Sequence, residues 1–109
     1  MIQNYDIDYL KQNDSKRTGF VEACHFNRQK VVKFLMNHFL KYKKLSDLKN
    51  QNNFLYKNIH YGFLEACRMQ RLKIINTLLE FQIDVNYIDQ NGCSGLYLVS
   101  YRYLDFYIA

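Results

Sequence analysis

Apolar side chains recur at helical spacing through residues 61–96. One short helix is predicted by a single apolar face, made of Phe63, Leu64, Ala66 and Cys67. A second helix is predicted by a stripe of apolar residues, made of Ile74, Ile75, Leu78 and Leu79. The residues from Asp89 to Gly92 then supply a tight turn, because Asn and Gly accept a positive φ. The pattern therefore predicts two helices followed by a polar turn.

The same unit occurs more than once in the chain. Residues 19–24 read GFVEAC and residues 62–67 read GFLEAC, so five of the six positions are identical. Ser94 restarts the pattern 33 residues after Tyr61. We expect successive units to pack along shared apolar seams. One row would consist of Phe20, Phe63 and Leu96, and the other of Val31 and Ile74.

A period of 33 residues built from a turn and two helices is typical of ankyrin repeats, and this chain resembles that family. The family's Thr-Pro-Leu-His opening is similar to the segments 18–21, 61–64 and 94–97. Its small-residue pair is similar to Ala23-Cys24 and Ala66-Cys67, and its Gly-Ala-Asp-Val-Asn hairpin to residues 82–86. The resemblance implies an all-α fold, an ankyrin-repeat solenoid of helix-turn-helix units with about two and a half repeats and an incomplete C-terminal unit.

Several positions depart from the family pattern. Proline is absent, so Gly stands where the family places Pro at a helix start. The opening His is replaced by Val21, Leu64 and Tyr97. Between the two helices, Asn27 and Gln70 replace Gly, and Gln accepts a left-handed backbone less readily than Asn. These departures lower the expected stability without changing the expected fold.

The chain of 109 residues is expected to form a single domain. Its expected parts are an N-terminal cap or partial repeat (1–17), a first helix pair capped by Thr18 (18–39), a basic insertion (40–58), a full repeat with its hairpin (59–91) and a truncated last repeat (92–109). The two full units are offset by 43 residues, and the excess falls in the insertion. There we expect Ser46 to cap a short extra helix and residues 49–53 to form a loop.

Basic residues are concentrated in segment 28–57, where Asp47 is the single acidic residue. The basic residues are Arg28, Lys30, Lys33, Lys41, Lys43, Lys44, Lys49 and Lys57. One interpretation is a solvated, Lys-rich face; the other is an electrostatic site for an acidic surface or for nucleic acid.

The sequence lacks the features of a membrane or secreted protein. No stretch approaches about 18 uninterrupted apolar residues, and the N-terminus lacks the apolar segment of a signal peptide. The odd number of cysteines, three, does not indicate a disulfide framework. We therefore expect no membrane insertion and a location inside the cell, in the cytoplasm or nucleus.

No residue is assigned to catalysis, to a metal or to a cofactor. Cys24 and His25 are neighbours in sequence, but adjacent residues on a helix point in different directions. Cys24 and Cys67 occupy the small-residue position of successive units, where a thiol acts as a compact apolar group. The cysteines and histidines also lack the paired spacing of a zinc site.

The family resemblance implies partner contacts at two kinds of position, the helix residues after the small pair and the hairpin tips. The helix residues are His25, Phe26, Arg68, Met69, Tyr101 and Arg102. The tip residues are Gln90, Asn91 and Cys93, together with Lys57, Asn58 and His60 next to the insertion. The implied function is that of a non-enzymatic scaffold that binds an unknown protein partner through its hairpin tips and its concave first-helix face.

Two alternatives remain open from the sequence. The basic segment 28–57 could bind an acidic surface or nucleic acid, or the chain could be a truncated remnant of a longer array. The C-terminal segment is crowded with aromatic residues and starts a unit that it does not complete. An uncapped repeat of this kind also predicts self-association.

Overall fold

The computed structural model describes residues 17–50 and 54–100. Five helices are defined there: α1 (Gly19–His25), α2 (Gln29–Phe39), α3 (Leu45–Asn50), α4 (Phe54–Arg68) and α5 (Leu72–Leu79). Residues 95–100 are helical as well. Within the described ranges there is no strand, and an isolated antiparallel bridge joins Ile88 and Ser94. The all-α prediction is therefore confirmed for this part of the chain.

Helix α1 begins at Thr18, as its sequence predicts. The backbone of Thr18 is extended, and its hydroxyl oxygen accepts a hydrogen bond from the amide of Val21 at 3.2 Å. The same hydroxyl donates to Oδ1 of Asn58 at 2.6 Å. Thr18 thus caps the N-terminus of α1 and connects that helix to α4. Ser94 makes the equivalent capping bond, accepting the amide of Tyr97 at 3.2 Å.

The helices α1 and α4 end in the same way. Asn27 and Gln70 both have left-handed backbones, with φ of 60° and 57°. The next amide then reaches back to the last turn, from Arg28 to the carbonyl of Ala23 and from Arg71 to that of Ala66, both at 2.8 Å. Gln70 therefore adopts the conformation that its type disfavours, because the turn into α5 requires it.

The helix pairs α1–α2 and α4–α5 pack side by side, α1 against α4 and α2 against α5. Five large apolar side chains at the centre of the seam are fully buried, namely Phe20, Leu35, Ile59, Ile74 and Leu78. Phe63 is buried as well, but Leu96, which has the equivalent position in the next unit, is 76% exposed. The expected third member of that row is therefore wrong for the described residues, because none of them covers Leu96.

Glycine permits the close approach of α1 and α4. A Cβ atom on Gly62 would lie 2.5 Å from Cε2 of Phe20 and 2.9 Å from Sγ of Cys24. One unit further along, a Cβ atom on Gly95 would lie 2.7 Å from Cε2 of Phe63 and 3.1 Å from Sγ of Cys67. Each glycine thus accommodates the aromatic ring and thiol of the preceding unit.

The insertion contains the short extra helix that was expected, but its bounds and its capping residue differ from the prediction. Helix α3 covers Lys49 and Asn50, which were expected to form a loop. The start of α3 is held by Asp47, whose carboxylate accepts the amide of Lys44 at 3.3 Å, and not by Ser46. Helix α4 begins at Phe54, seven residues before the expected start at Tyr61, because no Gly or Pro interrupts residues 54–61 and their apolar positions continue the helical stripe.

Replacing Gly62 with Ala should destabilise the fold. The added methyl group meets the ring of Phe20, and overpacking of a tight core costs about 1–3 kcal/mol. Chemical denaturation measures the change in the free energy of unfolding. The double variant Gly62→Ala with Phe20→Leu should lose less stability than the two single variants together, because the smaller side chain relieves the contact.

Gly92→Ala provides the control. Gly92 has a φ of 76° but no atom within 4 Å of its virtual Cβ, so its substitution strains the backbone without a clash. The loss in the free energy of unfolding caused by Gly92→Ala should be the same with and without Phe20→Leu. Additive effects for Gly62→Ala and Phe20→Leu would contradict the proposed contact.

Candidate functional site

A groove of about 570 Å³ runs between the first helices and the hairpin tip. Helix α1 and the residue before it contribute Arg17, Thr18 and Val21 to its lining. Helix α4 contributes Phe54, Asn58, Tyr61, Leu64, Glu65 and Arg68, and the tip contributes Asp89, Gln90, Asn91 and Cys93, with Leu98 from the following helix. The groove thus brings together residues that are up to 81 positions apart in the chain, from Arg17 to Leu98.

A charged network lies along the edge of the groove, centred on Glu65. The carboxylate of Glu65 accepts Nδ1–H of His25 at 2.6 Å and is paired with the guanidinium of Arg68. Arg17 lies 3.9 Å from the same carboxylate and 2.6 Å from that of Glu22. Because the guanidinium groups of Arg17 and Arg68 lie beside Glu65, this carboxylate is not an isolated negative charge, and the side chain of Arg68 is still 49% exposed.

The hairpin tip is held rigid by Asp89. Its carboxylate oxygen Oδ1 accepts the amides of Asn91 at 2.8 Å and Cys93 at 2.9 Å. Its backbone amide donates to the carbonyl of Cys93 at 3.0 Å. The carboxylate is therefore occupied by its own loop, and the exposed side chains of Gln90 and Asn91 are held at the rim.

The structure unites some of the predicted partner-binding residues and separates others. The groove is lined by Asn58, Arg68, Gln90, Asn91 and Cys93. It is not lined by His25, Phe26, Lys57, His60 or Met69. Tyr101 and Arg102 lie outside the described residues, as does most of the C-terminal segment for which self-association was predicted.

The assignment of Lys57, Asn58 and His60 to a hairpin tip is wrong, because all three lie within helix α4. Asn58 and His60 are buried, and only Lys57 is exposed. The additional lining residues on α4 follow the spacing of one helical face, from Phe54 through Asn58, Tyr61 and Glu65 to Arg68. That spacing is visible in the sequence once the helix is extended back to Phe54.

His60 holds the hairpin from inside the core. Its Nδ1–H donates to the carbonyl of Tyr56 at 2.8 Å, and its Nε2 accepts the amide of Asp84 at 3.0 Å. The ring of Tyr87 stacks on it at a centroid distance of 4.8 Å. These bonds require the neutral ring with its proton on Nδ1. His60 thus connects helix α4 to the hairpin through its bonds to Tyr56 and Asp84.

The two buried thiols are in environments that suppress ionisation. Burial, with a smaller contribution from Glu65, raises the pKa of the Cys24 thiol, and burial raises the pKa of Cys67 to about 11. The ring of His25, next in sequence, is bonded to Glu65. Cys24 therefore lacks the exposed, stabilised thiolate of a reactive cysteine. Among the residues of 17–50 and 54–100, no cluster of His, Cys, Asp and Glu could hold a metal ion.

No described helix has the combination of length and apolar character that would let it cross a bilayer. Comparisons with protein-family models, with curated proteins and with solved structures found no match for this chain.

The free energy of unfolding should fall as the pH drops below 6.5. Burial lowers the pKa of His60 below its ordinary value of 6.5, although the Tyr56 carbonyl and Asp84 oppose the shift and Lys49 adds to it. The unfolded chain therefore takes up this proton at a higher pH than the folded chain does. The stability contributed by neutral His60 is fully present above pH 6.5 and is lost as the pH falls towards the lowered pKa, with a slope of at most about 1.4 kcal/mol per pH unit.

Denaturation curves of the wild type and of His60→Gln, recorded at pH values from about 7.5 to 5.5, measure this contribution because only the wild type titrates at position 60. Nitrogen chemical shifts of the imidazole report the tautomer independently. A ring with its proton on Nε2 at neutral pH would contradict the bonds of His60 to Tyr56 and Asp84.

One thiol should react rapidly in the folded protein. Cys93 is partly exposed, whereas Cys24 and Cys67 are buried. A colorimetric disulfide reagent at neutral pH should therefore label Cys93 at once and the other two only as the fold opens. The Cys93→Ser variant should lack the rapid phase, and denaturant should expose all remaining thiols. Rapid labelling of the Cys93→Ser variant would show that the core is open.

Proposed function

We propose that this chain is an ankyrin-repeat protein that works by binding another protein and not by catalysis. The first support is the equivalence of its two helix pairs. They share the GFxEAC segment, a left-handed residue before the second helix, and a backbone bond that closes the turn. The contact between glycine and an aromatic ring recurs from one unit to the next. Stacked units with such recurring contacts are the basis of repeat architectures.

The observation that carries the proposed binding function is the groove between the first helices and the hairpin tip. In a repeat array this side is the concave one, and it is formed by first helices and turn tips. Here α1, α4 and the tip around Asp89 all contribute to a single depression. A depression that spans successive units presents a surface that no single unit could form.

The chemistry of the groove suits a segment of a folded or extended protein. Val21 and Leu64 lie at its base, and both are almost fully buried. Arg68 offers a half-exposed guanidinium, and Gln90 and Asn91 offer amides at the rim. An apolar side chain with a neighbouring carboxylate or backbone carbonyl would complement these groups.

The burial of Cys24 and Cys67 as free, compact apolar groups is in keeping with a protein that works inside the cell, in the cytoplasm or nucleus. There the partner would be an intracellular protein.

Asn91→Arg should weaken partner binding, and Asn76→Arg should preserve it. Both asparagines are exposed, but Asn91 lines the groove whereas Asn76 lies on α5. The bond from residue 91 to Asp89 uses the backbone amide, so the larger side chain leaves the tip intact. We expect capture of a specific partner by the wild type and by Asn76→Arg, and a loss of at least about tenfold in affinity for Asn91→Arg.

Arg68→Ala should weaken the same complex, and far-UV circular dichroism should confirm that each variant is folded. Affinity capture followed by titration of the identified partner measures both effects. If Asn76→Arg disrupted the complex while Asn91→Arg and Arg68→Ala left it intact, the binding surface would be the second-helix side, and the assignment of the groove would be wrong.

A further inference from the structure

A second surface of the molecule differs from the groove in its charge. From residue 23 to residue 64 the chain holds eight basic residues and one acidic residue, Asp47. The carboxylate of Asp47 is occupied at the start of α3, where it accepts the amide of Lys44. All eight basic side chains are exposed, and among the described residues none of them forms an ion pair.

Part of this charge is arranged along one face of α2. Lys30, Lys33, Phe34 and Asn37 recur at helical spacing and are exposed, whereas Val32, Leu35 and Met36 on the opposite face are buried. The turn after the helix adds four more exposed residues, Lys41, Tyr42, Lys43 and Lys44. We call the set Lys30, Lys33, Phe34, Lys41, Tyr42, Lys43 and Lys44 the basic face. Its helical part, from Lys30 to the end of α2 at Phe39, extends about 14 Å at the helical rise.

An aromatic ring lies among these lysines. Tyr42 is 86% exposed, and the ammonium group of Lys41 lies 5.2 Å from the centroid of its ring. Burial would stabilise a ring of this size, so a solvent-exposed aromatic side chain flanked by cations indicates a ligand that combines negative charge with flat, stackable groups.

We propose that the basic face binds single-stranded nucleic acid, with its lysines on the phosphates and Tyr42 stacked on a base. Proteins that bind single strands without sequence preference combine a positive track with exposed aromatic side chains, as this face does. An acidic protein would pair with the lysines but gives no reason for the exposed ring of Tyr42. An anionic membrane surface offers negative charge but no base on which Tyr42 could stack, and binding to phosphatidylserine vesicles distinguishes this case.

The chain supplies a matched control. Lys30 on α2 and Lys73 on α5 occupy the same position of successive units, 43 residues apart, and both are exposed. Lys73 lies outside the basic face. If binding occurs at the basic face, substitution of Lys30 should weaken it and substitution of Lys73 should not. Both substitutions change the net charge of the protein equally.

The test measures the fluorescence anisotropy of a labelled oligouridylate of about 12 nucleotides, titrated with the full chain. Binding should weaken as salt is raised from about 50 mM to about 200 mM, because phosphate contacts release counterions. Lys30→Gln and Lys33→Gln should each weaken binding and reduce the salt slope by about 0.7, whereas Lys73→Gln should leave the slope unchanged.

The contribution of stacking is tested separately at position 42. Tyr42→Leu should weaken binding about tenfold, whereas Tyr42→Phe, which keeps the ring, should bind like the wild type. Tyr42 is so exposed that neither substitution disturbs the core, and thermal melting checks this point.

Several results would overturn the proposal. These are the absence of binding, binding without salt dependence, and equal effects of Lys30→Gln and Lys73→Gln. Equal affinity for Tyr42→Leu and Tyr42→Phe would exclude stacking. Binding of a duplex of the same length, of polyglutamate or of phosphatidylserine vesicles as tightly as the oligouridylate would show a general attraction to polyanions or a membrane site instead.

Discussion

The arrangement of the helices depends on a close contact at Gly62. The ring of Phe20 and the sulfur of Cys24 occupy the space that a Cβ atom of residue 62 would need. The same contact recurs at Gly95 with Phe63 and Cys67. A large ring in one unit is therefore matched by a missing side chain in the next, and this pairing explains why glycine stands at positions 62 and 95.

This contact also determines where the polar groups meet. With α4 held against α1, Asn58 reaches the hydroxyl of Thr18, and Glu65 reaches the ring of His25. On the other side, Arg71 donates to the carbonyl of His25 at 2.9 Å. Each bond joins residues at least 40 positions apart. The groove forms between the same two helices, so its shape follows from the packing of glycine against phenylalanine.

Much of this arrangement could be predicted from local sequence. The repeated GFxEAC segment indicates equivalent helices, Thr18 indicates a cap, and the sequence from Asp89 to Gly92 indicates a turn. Such features act over a few residues, and the structure bears out the cap and the turn through Thr18 and the bonds of Asp89. Arg68, Gln90 and Asn91, which the family resemblance assigned to the partner-binding surface, line the groove.

Contacts between distant residues could not be predicted in this way. The repeat register placed a hairpin near residues 57–60, whereas the uninterrupted helical stripe from Phe54 continued α4 through that region. The role of His60 was missed because its partner, the amide of Asp84, lies 24 residues further along the chain. Similarly, nothing in the sequence shows that Phe26 and Met69 lie beside the groove and not in it.

The first turns of α4, next to the irregular spacing between the two units, help to hold the units together. The early turns of α4, which lengthen the interval between the units, carry Asn58 towards Thr18 and His60 towards Asp84. One of these bonds reaches back to the preceding unit, and the other reaches forward to the following hairpin. A deletion that restored an even period would keep both neighbours in place only if it spared Asn58 and His60. The start of α4 is therefore a clamp between the preceding unit and the following hairpin.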